Sequence, residues 1–246
     1  MFRLLFSLVL TLISVVNVHA QVFTDNFNRP DAPDLGPNWQ VIGTGSATRV
    51  IGNQAGNVAG ANNLSLVTSA NFSSTYDNTV VTADVSHSAT GGVAFVALAL
   101  GHNGVAAGGN GLFIKVQSNT AAGTQFDFIG FYTGIGVGTT TFWSDPPVFF
   151  AATTPFASAR MRVFASDATT INLTLDTNFD GVPDQTFTRH LNLGTMTFGT
   201  QAGLSVFGTT AFADNYSVTP APEPGSLLLV GSGVVLGGRF LRRRRA

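Results

Sequence analysis

Short runs that alternate between apolar and polar residues are the feature that most constrains how this chain can fold. In one run, Ile171, Leu173 and Leu175 alternate with Asn172 and Thr174. A period of two is typical of a half-buried β-strand, and no window outside the two ends of the chain has the periodicity of an amphipathic helix. The predicted strands cover residues 39–42, 48–51, 64–68, 79–85, 93–100, 112–117, 126–132, 139–143, 159–165, 170–175, 185–191, 203–207 and 211–218.

These runs predict an all-β fold. The 28 glycines supply turns, and frequent Thr, Val and Phe favour strands. Many short strands with no helices are typical of a β-sandwich or jelly roll. The run at 93–100 is apolar at almost every position, which predicts a central strand buried on both faces. No fixed repeat period is present, which disfavours a propeller or a β-solenoid.

Two segments carry a resemblance to a known fold. The first reads FTDNFNRPD at 23–31 and continues as LGPNW at 35–39, and the second reads ADNYSV at 213–218. They resemble the opening and closing strands of concanavalin A-like, laminin-G-like jelly rolls. The resemblance implies that the first and last strands lie side by side, and that Trp39 is a core residue.

The beginning of the chain predicts export. Residues 1–20 contain one positive residue, Arg3, then an apolar run at 4–16 and a small-residue cleavage site ending at Ala20. This order is that of a secretory signal peptide, which would leave Gln21 as the mature N-terminus. We therefore expect a signal peptide at 1–20 and a β-sandwich domain at 21–219.

The tail, residues 220–246, predicts a membrane segment. Pro222, Glu223 and Pro224 precede an uncharged stretch at 225–238, which as a helix would be about 21 Å long. Positive residues beyond it would stay on the cytoplasmic side and stop translocation. These residues are Arg239, Arg242, Arg243, Arg244 and Arg245.

This layout resembles the PEP-CTERM sorting signal of Gram-negative bacteria. The resemblance implies that a membrane-embedded exosortase recognises the Pro-Glu-Pro motif and processes the protein near it. It also implies a transient stay at the inner membrane, a final location at the cell surface or outside the cell, and an association with exopolysaccharide. The alternative is an ordinary membrane anchor.

Composition excludes several classes of function. The two predicted signals contain six of the 12 basic residues and one of the 13 acidic residues, so the region between them is acidic. An acidic surface argues against nucleic acid or anionic lipid as partners. The absence of cysteine excludes disulfides, thiolate zinc sites and a cysteine nucleophile.

One loop has the spacing of a calcium site. Asp176, Asn178, Asp180 and Asp184 occupy positions 1, 3, 5 and 9 of an EF-hand-type loop, with the Val182 carbonyl at position 7. Position 12, which should hold a bidentate Glu, holds a phenylalanine. The same residues also suit a metal-free β-hairpin turn. Two interpretations therefore stand, a structural Ca²⁺ or a turn without metal, and no other cofactor is expected.

The residues suited to chemistry are few. Glycoside hydrolases use two carboxyl groups, and the one glutamate of this chain is Glu223 in the tail. No catalytic residues are therefore predicted. Trp143 and Tyr132 are candidate sugar contacts, since exposed aromatic rings can stack on pyranose faces; packing in the core is their alternative role.

These observations predict an exported, non-catalytic, lectin-like or extracellular-matrix module associated with exopolysaccharide. A purely structural envelope or biofilm protein without a defined ligand is the first alternative. A jelly-roll glycoside hydrolase or lyase is the second, and it would need two aspartates facing each other across a cleft.

Overall fold

The computed structural model describes residues 22–42, 48–58, 64–105, 110–120, 122–133, 149–191 and 197–221. The regular elements in these ranges are strands, apart from one 3₁₀ turn at Tyr76–Asn78. No helix in these ranges is long and apolar enough to cross a membrane. The strands are β1 (Phe23–Asp25), β2 (Trp39–Ile42), β3 (Arg49–Ile51), β4 (Gln54–Gly56), β5 (Leu64–Val67), β6 (Thr79–His87), β7 (Ala94–His102), β8 (Leu112–Ser118), β9 (Phe126–Thr133), β10 (Phe149–Phe156), β11 (Ser158–Ala165), β12 (Thr170–Asp176), β13 (Gln185–His190), β14 (Gln201–Phe207) and β15 (Ala211–Pro220).

The strands form two antiparallel sheets. One sheet has eight strands in the order β13-β12-β11-β6-β15-β4-β3, with β1 also paired to β15. The other has seven strands in the order β10-β9-β8-β7-β14-β5-β2. The two sheets pack as a sandwich, which confirms the predicted all-β fold class.

The main core lies between the sheets. Ile171, Leu173 and Leu175 of β12 are fully buried there, as their alternation predicted. β7 is buried at all nine positions and lies between β8 and β14, so the predicted central strand is confirmed. Trp39 is also part of this core.

The first and last strands are neighbours, as the jelly-roll resemblance implied. Phe23 of β1 pairs with Val218 of β15, and Asp25 pairs with Tyr216. The Trp39 ring lies 4.9 Å from the Tyr216 ring, centroid to centroid. These contacts join both ends of the domain to one side of the core.

Most predicted strands match observed ones to within two residues at each end. The predicted strand at 139–143 lies outside the described residues. The alternation did not predict β4 and β10, and β1 was indicated only by the resemblance of the segment at 23–31 to an opening strand. β1 and β4 have three residues each, which is too short to show an alternation. β10 contains Pro155, which cannot donate a ladder hydrogen bond and is tolerated because β10 is an edge strand.

Candidate functional site

The seven-stranded sheet is apolar on both of its faces. Its second face, directed away from the main core, carries a separate cluster of buried side chains. An antiparallel sheet usually packs one face on the core and leaves a polar face in water, so a second apolar face needs an explanation. The cluster consists of Ile42, Leu64, Leu66, Ala99, Phe113 and Tyr132.

Strand register arranges this second face in three rows across β9, β8, β7 and β14. Cross-strand partners share a face, so each row is a line of directly opposed residues. We call the surface formed by these rows the aromatic face. In strand order, the rows are Phe128, Gln117, Phe95 and Phe207; Gly130, Lys115, Ala97 and Ser205; and Tyr132, Phe113, Ala99 and Gly203.

The middle row lies between two rows that contain aromatic rings. Gly130, Ala97 and Ser205 are small, and Lys115 stands among them. On one side the rings of Phe95 and Phe207 are stacked, with centroids 5.1 Å apart and an interplanar angle of 4°.

Lys115 is the one lysine of the chain, and it is 5 % exposed. Its Nζ lies 4.7 Å from the centroid of the Phe95 ring and 4.6 Å from that of Tyr132. Ring faces attract a cation, so both contacts favour the ammonium form. Burial acts in the opposite direction and lowers the pKa of Lys115 to about 8.

Gly130 makes room for the Tyr132 ring. A Cβ at position 130 would lie 2.4 Å from Cε2 of Tyr132 and 3.1 Å from Cε of Lys115. Neither distance leaves space for a side chain, so a glycine is needed here for the ring to reach the lysine. Burial also raises the pKa of the Tyr132 hydroxyl above its ordinary value.

Tyr132 was predicted as a sugar contact, and the structure places it on the aromatic face. It is 7 % exposed, however, so it forms part of the buried floor rather than an open platform. Trp143, the second predicted contact, lies outside the described residues. The half-exposed members of the aromatic face are Phe128, Gln117 and Phe207. Access to the face is therefore along the row that contains these three residues.

The sequence prediction did not include Phe95, Lys115 or Phe207. The single lysine in the middle of the apolar run at 112–116 could have indicated this face, because burying a charge in a strand costs free energy and is uncommon. The two phenylalanines carried no such signal, since each looks like any other apolar strand residue.

His102 lies at the end of β7 and contacts the aromatic face. Its ring is 5.9 Å from that of Phe113, in an edge-to-face arrangement. Nδ1 accepts a hydrogen bond from the backbone N–H of Gly104, and Nε2 has no hydrogen-bond partner among the described residues. Burial lowers the pKa of His102 to about 4, so the ring is neutral at physiological pH.

The predicted calcium loop between β12 and β13 is held by its own hydrogen bonds. The Asp176 carboxylate accepts from the backbone N–H groups of Asp180 and Gly181, at 3.2 and 2.8 Å. Asp184 Oδ2 accepts from both the N–H and the hydroxyl of Thr177, and Asp180 Oδ1 accepts from the N–H of Val182. The loop therefore has the bonding pattern of the metal-free turn.

These carboxylates do not converge on a common point. Within the described ranges, no group of three or more His, Asp or Glu side chains is placed to hold a metal ion. Before they could bind calcium, the carboxylates of Asp176 and Asp184 would have to break the hydrogen bonds that they accept within the loop. The donor set in this geometry does not fit Ca²⁺, and calcium binding stays a prediction.

The outer face of the eight-stranded sheet brings two aspartates together. Asp84 and Asp214 are cross-strand partners on β6 and β15. Asp84 accepts two hydrogen bonds from Arg160, at 2.8 and 3.1 Å, and one from Asn215. Burial, followed by the charges of Asp84 and Asp25, raises the pKa of Asp214. Asp84 is thus fully engaged in a structural ion pair on an exposed sheet surface.

Comparison with solved structures identifies the fold. The CBM2 module of the evolved Dit protein of Lactobacillus casei BL23 phage J-1 superposes with a TM-score of 0.51 and 10 % identity, over 84 % of this chain and 99 % of that one. The metal-free exoplasmic/lumenal domain of VIP36 gives a TM-score of 0.51 and 11 % identity, over 82 % and 93 %. Its Ca²⁺/Man2-bound form gives 0.50 and 10 %, over 82 % and 89 %.

These likenesses show the fold alone: the chain is a lectin-like jelly roll of the concanavalin A type. No model of a known protein family matches the chain, and no curated protein sequence matches it. The sandwich fold is therefore identified, and the aromatic face of the seven-stranded sheet is its candidate functional site.

Proposed function

We propose that this protein is an exported, non-catalytic carbohydrate-binding module, and that the aromatic face is its binding surface. The observation that carries the proposal is the row of Phe128, Gln117, Phe95 and Phe207, which crosses four strands and is partly open to solvent. Its extracellular ligand is a polysaccharide, in keeping with the exopolysaccharide association that the tail implies.

The chemistry of this row suits a sugar. Pyranose rings have an apolar C–H face that covers aromatic rings, and the half-exposed ring of Phe207, which stacks on the buried ring of Phe95, offers such a surface. Hydroxyl groups need hydrogen-bond donors and acceptors at the edge of that surface. Gln117 and Asn119, which bond to each other at 3.0 Å, provide them beside Phe128.

Structures with the same fold support the proposal. A solved form of the VIP36 domain contains Ca²⁺ and Man2, and the phage Dit protein contains a CBM2 module. At this level of identity the ligand does not transfer. The support is therefore limited to the fold being one that can carry such a site.

The proposal that the protein is exported to the cell surface is supported by the sequence alone. The leader at 1–20 and the tail with Pro222, Glu223 and Pro224 support export and processing by an exosortase after a transient stay at the inner membrane. Residues 1–20 and 222–246 lie outside the described residues. The non-catalytic character rests on the scarcity of paired carboxylates, with Asp84 held by Arg160.

Affinity electrophoresis on a panel of neutral and acidic extracellular polysaccharides tests the binding function. We expect at least one to retard the protein, and Phe207→Ala to raise the dissociation constant by about tenfold, the usual effect of truncating an aromatic anchor. Phe207 is half-exposed, so this variant should stay folded.

Phe164→Ala is the matched control, since Phe164 is also half-exposed but lies on the eight-stranded sheet. It should change binding by less than about twofold. If no polysaccharide retards the wild-type protein, the structural envelope role replaces the proposed one.

A further inference from the structure

We propose that a pocket beside the edge strand β3 is a second binding site, for a single acidic sugar residue whose carboxylate pairs with the guanidinium of Arg49. β3 belongs to the eight-stranded sheet, so this pocket is separate from the aromatic face of the other sheet. The choice of a sugar as the carrier of the carboxylate rests on the proposed function. The pocket and its unpaired arginine are observations of their own.

The pocket is large enough for one sugar ring. Its volume is about 300 Å³, at the lower end of the range for small-molecule sites. Its apolar lining includes Pro33, Ile51 and Val58, and its charged residues are Asp31 and Arg49. Val58 is an exposed large hydrophobic residue, so part of the apolar lining faces solvent.

Hydrogen bonds hold the walls of the pocket in place. The backbone N–H of Ala32 donates to the carbonyl of Val50 at 3.1 Å, which ties the segment before β2 to β3. Gly52 and Asn53 have φ values of 58° and 62° and form the tight turn between β3 and β4. Asp31 Oδ1 accepts a hydrogen bond from the N–H of Gly52 at 2.7 Å. The pocket is therefore preformed, and little of it has to be ordered on binding.

Arg49 is a half-buried arginine without a counter-ion. Its Nε is buried and has no hydrogen-bond partner, whereas its Nη atoms are not among the buried unpartnered atoms, so the end of the guanidinium is accessible. Within the described ranges it forms no ion pair and no ring contact. The other arginines differ: Arg29 and Arg160 form ion pairs, and Arg162 lies over the Phe164 ring.

An unpaired guanidinium in a pocket favours an anionic group. Arginines that are partly removed from water are ordinarily paired, because their desolvation is costly. A carboxylate fits the planar guanidinium best, since it accepts two parallel N–H···O bonds at once. A neutral hydroxyl accepts weaker bonds and leaves the charge uncompensated. The pocket therefore selects a carboxylate at the Arg49 end.

Asp31 determines the orientation of the ligand. Its Oδ1 is held by the N–H of Gly52, and its Oδ2 has no hydrogen-bond partner among the described residues. Oδ2 can accept a hydrogen bond from a sugar hydroxyl, and its charge repels a carboxylate. The acid group of a bound sugar therefore lies at Arg49, with hydroxyls towards Asp31. The C–H face of the ring covers the apolar side chains of Ile51 and Val58.

Titration with free monosaccharides, followed by ligand-observed NMR, tests the site in the full-length protein in mild detergent. The probes are D-galacturonate and D-glucuronate, each compared with its methyl ester. We expect at least one uronate to bind about tenfold more tightly than its ester, because the carboxylate adds charge-assisted hydrogen bonds. Sodium acetate and L-valine carry a carboxylate without the sugar ring, and we expect both to bind more weakly than that uronate.

Variants at position 49 link the preference to the arginine. Arg49→Met should bring the affinities of uronate and ester to within about threefold, whereas Arg49→Lys, which keeps the charge without the planar fork, should retain part of the difference. Arg162→Met is the matched control on the same sheet and should leave the preference unchanged. Phe207→Ala should also leave it unchanged, because Phe207 lies on the other sheet.

Thermal unfolding verifies that each variant is folded. The comparison of uronates with their esters uses the wild-type protein, so a variant that fails to fold leaves this test intact. Equal affinity for uronate and ester overturns the inference, as does the absence of saturable binding by either uronate. A preference that survives in Arg49→Met also overturns it, and so does binding of acetate or L-valine that is as tight as that of the uronate.

The two proposals can fail separately. Polysaccharide binding that is lost in Phe207→Ala but kept in Arg49→Met supports the aromatic face, whatever the uronates do. Uronate binding that is lost in Phe207→Ala overturns the second site, because the acid group would then be bound at the aromatic face.

Discussion

At the scale of single residues, the half-buried charge of Asp25 and the buried charge of Lys115 have opposite effects on stability. Asp25 accepts hydrogen bonds from Arg29 Nη1 and Nη2, from Trp39 Nε1 and from the N–H of Phe27. Burial alone would raise the pKa of Asp25, but these bonds lower it below its ordinary value. Asp25 is thus a stabilising charge that anchors the opening segment. Lys115, whose pKa is lowered by burial, is a destabilising charge.

The free-energy cost of burying the Lys115 ammonium leads to a stability prediction. Lys115→Met should raise the free energy of unfolding at pH 7 by about 2 kcal/mol. The lowered pKa corresponds to a desolvation penalty of about 3 kcal/mol, which the variant removes. The variant also loses the two stabilising ring contacts, which together contribute about 1 kcal/mol. Denaturant unfolding measures the difference, and Arg162→Met on the exposed face of β11 is the control, with an expected change under about 0.5 kcal/mol.

The pH dependence has a defined sign. The pKa of Lys115 is about 8 in the folded protein, against an ordinary value of 10.5 for an exposed lysine, so between these two pH values the unfolded state binds the extra proton. Wild-type stability therefore rises with pH in this window, and the advantage of Lys115→Met shrinks from pH 8 to pH 10.5. An advantage that stays constant to pH 10.5 would contradict a buried ammonium.

At the scale of elements, β15 shows how one extra residue changes a strand. Its pairing with β6 shifts between Asp214 and Ser217, and Asn215 has a φ of 48°. This β-bulge changes the inward-facing positions from Ala213 to Tyr216, so the alternation loses its period at that point. The bulge brings the Tyr216 ring into the main core, which is why the closing segment packs on Trp39.

The loop between β12 and β13 is predicted to be stable without metal. The melting temperature should be the same with Ca²⁺ and with a chelator, because the carboxylates already accept hydrogen bonds from the loop itself. Asp176→Ala should lower the free energy of unfolding by about 1–3 kcal/mol, because it removes the acceptor for two N–H groups. Scanning calorimetry measures both effects.

Asp180→Ala separates the two interpretations of this loop. Without metal it removes two hydrogen bonds, which the carboxylate accepts from the N–H of Val182 and from Nδ2 of Asn178, and its effect should not depend on Ca²⁺. A rise of the wild-type melting temperature with Ca²⁺ that is lost in Asp180→Ala would show that the loop rearranges into the calcium site that its sequence predicts.

At the scale of the whole molecule, the predicted leader and tail lead to a prediction about the location of the protein. Deleting residues 222–246 should leave the β-sandwich folded, because the described strands end at Pro220. The truncated protein should no longer be found at the inner membrane. Cell fractionation together with mass spectrometry of the mature protein measures location and processing.

Glu223→Gln is the companion variant, since it keeps the hydrophobic segment and changes the motif alone. It should accumulate as an unprocessed membrane form. If deletion of 222–246 changes neither location nor covalent state, the sorting role of the tail is wrong.

The fold was largely predictable, and the candidate site was not. Alternation is a local property, so β6, β11 and β12 could be located to within two residues. Tyr132 was selected as an aromatic residue on the strand that precedes Trp143, but its buried position beside Lys115 depends on Gly130 and on Phe95 from another strand. Nothing in the local pattern indicates such a grouping.

The amino-acid sequence by itself determined that this chain forms strands and which side chains alternate inward, and it predicts export and sorting signals on either side of the body. These properties depend on residues that are near one another along the chain. Only the tertiary structure decided which strands are neighbours, and therefore that Phe95, Lys115, Tyr132 and Phe207 share one face. The physical reason is that strand pairing is set by non-local packing and register, which a period of two does not encode.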